Sequence, residues 1–179
     1  MSQNINSGVY LINETERGIV MNQTEWKIIY EKYRKELYFY ALSLTGNIAD
    51  AEDLLQEAFL KAFLSYEATG SIKYWLITVV KHEFFNLQRK RKKESNDDIN
   101  QSSSPDVLEG IIENEERRQL YLAIQKLPSK MMEILVQSVY LHLSDKEIAD
   151  LNKITQENVR QIKSRAKKKL LQILEEESK

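Results

Sequence analysis

The sequence predicts an all-α protein made of two small helical domains joined by a flexible linker. Only five glycines and two prolines interrupt the 179 residues. Apolar residues recur at helical spacing, and the alternation typical of strands is scarce. A polar stretch, ESNDDINQSSSPD, separates two helical halves and has the composition of a linker. We therefore predict an N-terminal extension at 1–22, a first domain at 23–93, a linker at 94–108 and a second domain at 109–179.

Composition excludes several function classes. The chain has no cysteine, so disulfides, thiolate metal sites and cysteine nucleophiles are absent. This composition suits a reducing compartment. No apolar stretch reaches the roughly 18–20 residues of a membrane span, and the first residues lack a signal peptide's basic and apolar regions. We expect a cytoplasmic protein without membrane insertion.

Charge is segregated along the chain, although the net charge is only −1. Arg89 to Lys93 is a run of five cations, and Arg160 to Lys169 holds six cations and no acid. Between them, Glu94 to Glu116 contains eight acids and no base. Two basic blocks separated by an acidic connector indicate two contacts with one polyanion.

The first domain is predicted to contain three helices. A helical pattern begins at Thr24 and ends at Gly46, which can adopt the left-handed conformation common after a helix. A second helix is predicted at about 48–67. Gly70 breaks the pattern before a third helix at about 71–93.

The second helix has two different sides. One is a predicted core stripe: Leu54, Leu55, Ala58, Phe59, Ala62 and Phe63. The other combines polar and acidic residues with leucines: Asp53, Gln56, Glu57, Leu60 and Leu64. Exposed leucines within an acidic rim are typical of a protein-docking surface. We favour that interpretation over a solvated helix with two stray leucines.

A carboxylate metal site fits these acids less well. Helix-bundle metal sites use Glu-x-x-His pairs, and neither His82 nor His142 lies three residues after a glutamate. His82-Glu83 begins like a zinc-protease motif, but Asn86 stands where the second histidine is required. We expect no cofactor and no metal.

The third helix mixes aromatic residues and cations. Its predicted inner stripe is Ile72, Leu76, Val79, Val80 and Leu87, and Glu83 falls within that stripe without an explanation. The opposite side is predicted to present Tyr74, Thr78, Lys81, His82, Phe85 and Arg89, with Trp75 at the border. Unpaired bases stack on exposed rings while cations hold phosphates. The alternative is that the aromatic residues belong to the core and that the cations form a solvated helix end. The pattern favours a core position for Trp75 and Phe84. It favours nucleic-acid binding for Tyr74, Phe85 and the cations.

The second domain has the layout of a helix-turn-helix. Helical pattern runs from Val107 to Lys126, and Pro128 begins a further helix that ends near Leu141. Ser144-Asp-Lys-Glu147 is a capping box that starts a short helix, and Thr155 is a plausible N-cap for the last helix.

The early exposed side of that last helix carries residues that hydrogen-bond base edges, which indicates a DNA reader: Gln156, Glu157, Asn158, Arg160, Gln161 and Ser164. Arg165 and Lys167 to Lys169 would neutralise phosphates. Simple helix packing is the alternative interpretation.

These motifs resemble a known family. TGNIADAEDLLQEAFLKAF followed by SIKYWLITVVKHEFFNLQRKRKK is similar to region 2 of the extracytoplasmic-function sigma factors of bacterial RNA polymerase. LPSKMMEILVQSVYLHLSDKEIADLNKITQENVRQIKSRAKKKL is similar to their region 4. The resemblance covers about 25–93 and 115–174. It implies a promoter-specificity factor without catalytic activity, whose partners are core polymerase and promoter DNA.

Together, the resemblance and the helix faces assign three sets of site residues. The set expected to bind the clamp helices of the polymerase large subunit is Asp53, Leu54, Gln56, Glu57, Ala58, Phe59, Leu60 and Leu64. The set expected to read the single-stranded −10 element is Tyr74, Trp75, Lys81, His82, Phe85, Asn86, Arg89, Lys90 and Arg91. The set expected to read the duplex −35 element is Thr155, Gln156, Glu157, Asn158, Arg160, Gln161, Ser164, Arg165 and Lys168.

The sequence departs from the family pattern at the turn of the helix-turn-helix. Lys153 stands where family members usually have glycine. Asn152 or Lys153 must therefore make the turn, and asparagine tolerates the left-handed region better than lysine. His82 and Asn86 replace the family's usual asparagine and aspartate, so its −10 base preference does not transfer.

Two rival functions remain open on the sequence. A conventional helix-turn-helix regulator would use the N-terminal helices for dimerisation and bind a two-fold symmetric site. A carboxylate-metal bundle would bind stoichiometric metal. The resemblance also leaves open whether an anti-sigma factor is a further partner.

Overall fold

A computed structural model describes residues 22–67, 70–94 and 115–177, and every regular element in these ranges is helical. The predicted extension 1–22 and linker 94–108 lie almost entirely outside the described residues. The helices are α1 (Gln23–Thr45), α2 (Ile48–Ser65), α3 (Ile72–Glu94), α4 (Glu115–Gln125), α5 (Ser129–Leu135) with a π-helical turn (Val136–Tyr140), α6 (Asp145–Asn152) and α7 (Gln156–Glu177). No helix among the described residues is long and apolar enough to cross a membrane.

Helices α1 to α3 pack together as the first domain. Asn22 begins α1 with a capping box, in which its side chain accepts from the Glu25 backbone while the Glu25 carboxylate accepts from the Asn22 backbone. Gly46 ends α1 in the left-handed conformation, with φ 62° and ψ 12°. Asn47 then caps α2. The helix boundaries and the role of Gly46 confirm the predictions for this half.

Helices α4 to α7 form the second domain. Pro128 immediately precedes α5. At the start of α6, the Glu147 backbone N–H donates to Ser144 Oγ at 3.2 Å, and the Ser144 backbone N–H donates to Glu147 Oε2 at 2.8 Å. Thr155 Oγ1 accepts from the Asn158 backbone at the start of α7. The predicted capping box and the predicted Thr155 cap are therefore confirmed.

The left-handed residue of the helix-turn-helix turn is Lys153, with φ 53° and ψ 48°. Backbone tolerance alone favours asparagine over lysine in this conformation, but the lysine adopts it. The reason lies in the Asn152 side chain, which donates to Gln137 Oε1 at 2.7 Å and to the Ile148 carbonyl at 2.8 Å. These contacts keep Asn152 within α6, so the next residue makes the turn.

The two domains contact each other through α1, α5 and the π-helical turn. The Tyr121 hydroxyl donates to the Leu42 carbonyl at 3.4 Å. The Phe39 ring lies 5.6 Å from the Tyr121 ring and 4.2 Å from the Tyr140 ring, measured between centroids. The described parts of the two domains thus share an interface built around α1.

Candidate protein and nucleic-acid interfaces

The outward side of α2 combines leucines and acids on the surface. The Leu60 side chain is 53% exposed and that of Leu64 is 64% exposed. Asp53 and Gln56 are exposed and Glu57 is half-exposed. We call these five residues the docking face. Its acids make this apolar surface electronegative, and its leucines would lose contact with water on binding a protein.

The apolar part of this surface is larger than the sequence predicts. Phe63, placed in the predicted core stripe, is 53% exposed, so that assignment is wrong. Its ring packs edge-on against Trp26, with centroids 5.5 Å apart, instead of entering the core. Ile28 and Tyr30 of α1 are also exposed. Sequence reasoning missed these two residues because it treated α1 only as a scaffold.

Three further members of the polymerase set lie on the buried side of α2, opposite the docking face. Leu54, Ala58 and Phe59 are buried. The Phe59 ring lies 4.8 Å from the Tyr30 ring, which joins α2 to α1. These three residues therefore pack inside the first domain, and the exposed members of the set are the ones accessible to a partner.

Glu83, unexplained by the sequence, links α2 to α3. Lys61 Nζ donates to Glu83 Oε1 at 2.7 Å, and Lys61 also pairs with Glu57 at 3.2 Å. Burial alone pushes the pKa of Glu83 upward, but hydrogen bonds from Lys61 and Asn86 outweigh it and leave the pKa below its ordinary value. The hydrogen bond to Glu83 in turn raises the pKa of Lys61. Both groups are therefore charged at neutral pH.

A ladder of side chains continues from Glu83 along the outer side of α3. Asn86 Nδ2 donates to Glu83 Oε2 at 3.2 Å, and Arg89 Nη2 donates to Asn86 Oδ1 at 2.7 Å. His82 and Phe85 are exposed beside this ladder. Together these residues place an exposed ring between polar and cationic groups, an arrangement suited to unpaired bases.

Other members of the −10 set lie in less open positions. Trp75 is half-buried, with its ring 5.7 Å from that of Tyr66, so it contributes to packing as the pattern favours. Lys90 is exposed. Arg91 Nη2 pairs with Asp50 Oδ1 at 2.7 Å and ties the end of α3 to the start of α2.

Two members of the −10 set are less exposed than the sequence pattern predicts. Tyr74 is half-buried and packs against the core, and Lys81 departs further. The helical wheel places it on the exposed side, but it is only 5% exposed, so that prediction of exposure is wrong. Its ammonium lies 2.6 Å from Glu133 Oε1 and donates to Asn152 Oδ1 at 2.7 Å. Both partners belong to the second domain, which covers this part of α3.

Helix α7 presents its predicted reader residues to solvent. All nine members of the −35 set are exposed. Val159 and Ala166 are buried on the opposite side. Asp145 of α6 holds the helix in place through Lys163, at 2.7 Å, and lies 3.6 Å from Arg160. The N-terminal half of α7 is therefore an exposed polar and basic surface that is anchored to α6 through Asp145.

No cluster of three or more potential metal ligands is found among the described residues. The acids of α2 instead meet cations of the same domain, as Asp50 meets Arg91 and Glu57 meets Lys61. The geometry of α2 is that of a charged protein surface.

Comparison with known proteins agrees with this geometry. Residues 29–94 match the family Sigma-70 region 2, and residues 117–170 match the family Sigma-70, region 4. The chain is 30% identical over 148 residues to the ECF RNA polymerase sigma factor SigM of Bacillus subtilis, across 79% of this chain and 90% of SigM. This chain belongs to the ECF sigma factor family. Its all-α fold and its sigma-factor function confirm the predictions, and the conventional helix-turn-helix regulator is not favoured.

Solved structures support the fold of this sigma factor. One is the sigma factor RpoE in complex with the anti-sigma factor NepR from Bartonella quintana, with TM-score 0.66, 21% identity, and coverage of 85% of this chain and 98% of that chain. Another is CnrH in complex with the cytosolic domain of CnrY, with TM-score 0.63, 19% identity, and coverage of 86% and 90%. The roles of individual residues remain predictions.

Proposed function

We propose that three surfaces of this ECF sigma factor divide the work of promoter-specific initiation. The docking face binds core polymerase, the outer side of α3 captures unpaired −10 bases, and the exposed half of α7 binds the −35 duplex. The observation that carries this proposal is the separation of the surfaces. The acidic, leucine-bearing side of α2 and the basic, polar side of α7 lie on different domains, and both are exposed.

The docking face suits a partner that is apolar at its centre and basic at its rim. Leu60 and Leu64 supply the apolar area, and Asp53 and Glu57 supply charges that attract cations. Interfaces of this kind have a desolvated centre and a polar rim. The clamp helices of the polymerase large subunit are the partner we propose.

The outer side of α3 suits single-stranded DNA. An unpaired base can stack on the exposed ring of Phe85, and Arg89 and Lys90 can hold the adjacent phosphates. Stacking of one base on an aromatic side chain contributes roughly 1–3 kcal/mol. Because this energy is available only to unpaired bases, binding favours the melted promoter.

The exposed half of α7 suits duplex DNA. Gln156, Asn158, Arg160 and Gln161 are side chains that can form paired hydrogen bonds with base edges in the major groove. Arg165 and Lys168 follow on the same helix and can neutralise phosphates.

In this proposal the chain carries out no reaction of its own, because core polymerase forms the phosphodiester bonds. We place promoter recognition by this chain in the cytoplasm, together with the polymerase.

An anti-sigma protein is a further partner that we propose for this chain. The two structural neighbours named above were each solved in complex with another protein, the anti-sigma factor NepR in one case and the cytosolic domain of CnrY in the other. The exposed apolar surface formed by Ile28, Tyr30 and Phe63 next to the docking face offers a place for such a partner.

Three single variants test whether the three surfaces have separate roles. The promoter for these tests is first selected from a random DNA library with core polymerase bound to this chain. Glu57→Lys should weaken core binding, and Glu67→Lys, an exposed charge reversal beyond the end of α2, is the control. Phe85→Ala should reduce permanganate reactivity of unpaired thymines. Arg160→Ala should weaken the upstream footprint by roughly 10-fold or more while core affinity is unchanged.

Comparing the core affinities of these variants decides whether the surfaces act separately. If core affinity falls as far with Arg160→Ala as with Glu57→Lys, the proposed separation of surfaces is wrong. If Glu67→Lys is as harmful as Glu57→Lys, the effect comes from net charge and not from the docking face.

A further inference from the structure

Two acids and two cations form a small network between α6 and the exposed half of α7. Asp145, in the first turn of α6, pairs through Oδ1 with Lys163 Nζ at 2.7 Å and through Oδ2 with Arg160 Nε at 3.6 Å. Arg160 Nη1 also donates to Glu157 Oε2 at 3.0 Å. The other three residues belong to α7, so Asp145 ties both cations to the neighbouring helix. We call these four residues the Asp145 network.

The contacts of the network differ in how strongly water competes with them. The side chains of Asp145 and Lys163 are 27% and 24% exposed, whereas those of Arg160 and Glu157 are 58% and 65% exposed. Partly buried ion pairs are screened much less than exposed ones, and an exposed pair on one helix contributes little. Arg160 can therefore leave Glu157 for DNA while the Asp145–Lys163 pair stays in place.

The direction from which Asp145 approaches Arg160 leaves the donating end of the guanidinium open. Asp145 lies on the Nε side, and Nη1 and Nη2 form the opposite end of the fork. Arginine reads guanine through paired hydrogen bonds to O6 and N7. An acid on the Nε side thus orients the fork without occupying the end that would contact a base.

Holding Arg160 in this way favours selectivity. A side chain that must first be ordered loses part of the free energy of association. An untethered arginine can also turn to a nearby phosphate, a contact that carries no sequence information. Lys163 donates to Asp145 in the same network, and this contact draws its charge toward α6.

We propose that Asp145 is a positioning residue for −35 recognition, which holds the Arg160 guanidinium in the orientation that reads one base pair. The inference rests on the proposed function of α7 as the −35 reader. Asp145 acts through Arg160 and requires no contact of its own with DNA. Its loss therefore lowers selectivity at the base pair that Arg160 reads and leaves the other −35 positions as they are.

Competition between promoters tests this role in the complete chain bound to core polymerase. The library-selected promoter competes with versions in which each −35 base pair is changed in turn. The ratio of the two bound DNAs gives the discrimination at that position, and the contacts of core polymerase cancel in the ratio. Arg160→Ala should lower discrimination by roughly 10-fold or more at one base pair. Asp145→Asn should lower it at that same base pair by roughly 3- to 5-fold.

Two further variants separate positioning from a general effect on the fold or charge. Asp150→Asn makes the same substitution at an exposed position near the other end of α6 and should leave every −35 position unchanged. In the Arg160→Ala background, Asp145→Asn should have no further effect, because the two residues act as one unit. Unchanged discrimination in Asp145→Asn, a loss spread over all −35 positions, a loss that persists in the Arg160→Ala background, or an equal loss in Asp150→Asn overturns the positioning role.

Nuclear magnetic relaxation of the Arg160 Nε–H group tests the network in the free chain, without DNA or polymerase. The signal is identified by its absence in Arg160→Lys. Asp145→Asn should lower the order parameter of this group, and Asp150→Asn should not. An order parameter that is unchanged in Asp145→Asn overturns the inference. If Arg160→Ala alters discrimination at no −35 position, the proposed function of α7 is wrong, whereas the relaxation measurement still decides whether Asp145 holds Arg160.

Discussion

Replacing Leu60 and Leu64 together by alanine tests the docking face directly. Fully burying a leucine side chain contributes about 1.5–3 kcal/mol, and 53% and 64% of these two side chains remain available for burial. The exposed leucine atoms beyond Cβ, which alanine lacks, would then contribute about 1 kcal/mol to docking at each position. The double variant should lose about 2 kcal/mol, which is a rise of about 30-fold in the Kd for core polymerase. Stability should change by less than about 0.5 kcal/mol, because both side chains are exposed.

Fluorescence anisotropy of the chain, labelled at a single introduced cysteine and titrated with core polymerase, measures this Kd. Leu171→Ala is the matched control, since Leu171 is a leucine of α7 that is 60% exposed. Its Kd should equal that of the unmodified chain. An unchanged Kd in the Leu60/Leu64 variant, or an equal loss in the Leu171 variant, would refute the assignment of the docking face.

The remaining predictions concern the second domain and are measured by denaturant unfolding. Ser144→Ala should lower the free energy of unfolding by about 1 kcal/mol because α6 loses its cap, whereas Ser129→Ala, which removes no capping hydrogen bond, should not. The hydrogen bonds from Ser144 lower the pKa of Glu147 below its ordinary value of 4.5. The contribution of the Glu147 carboxylate to the free energy of unfolding is therefore complete above pH 4.5, and it is lost as the pH falls through the lower pKa of the folded state. The stability difference between the unmodified chain and Glu147→Gln should therefore shrink below that pH, and a constant difference would contradict the assignment. Lys153→Gly should raise stability by up to about 1 kcal/mol by relieving the left-handed lysine, whereas Lys167→Gly in α7 should lower it by about 1 kcal/mol.

Local chemistry explains which features the sequence could predict. Gly46, the Ser144–Glu147 box and Thr155 act through contacts within a few residues, so their roles can be read from spacing alone. The exposure of the α7 reader residues was predictable for a similar reason. Helical periodicity places Val159 and Ala166 on one side and the polar residues on the other.

Contacts between distant segments account for what the sequence could not predict. Lys81 occupies an outward position on α3, and only the second domain, through Glu133, turns that position into an interior one. The sequence pattern did not explain Glu83, because its partner Lys61 lies 22 residues earlier in the chain. Lys153 rather than Asn152 makes the left-handed turn because the Asn152 amide donates to Gln137 and to the Ile148 carbonyl. Helical periodicity carries no information about partners of this kind.

Run-off transcription with purified core polymerase on fragmented genomic DNA, with and without this chain, tests the central claim most directly. Sequencing the 5′ ends should reveal discrete start sites that appear only when the chain is present and that share two upstream sequence elements. Start sites that are the same with and without the chain, or no transcripts at all from an assembled complex, would contradict its function as a promoter-specificity factor.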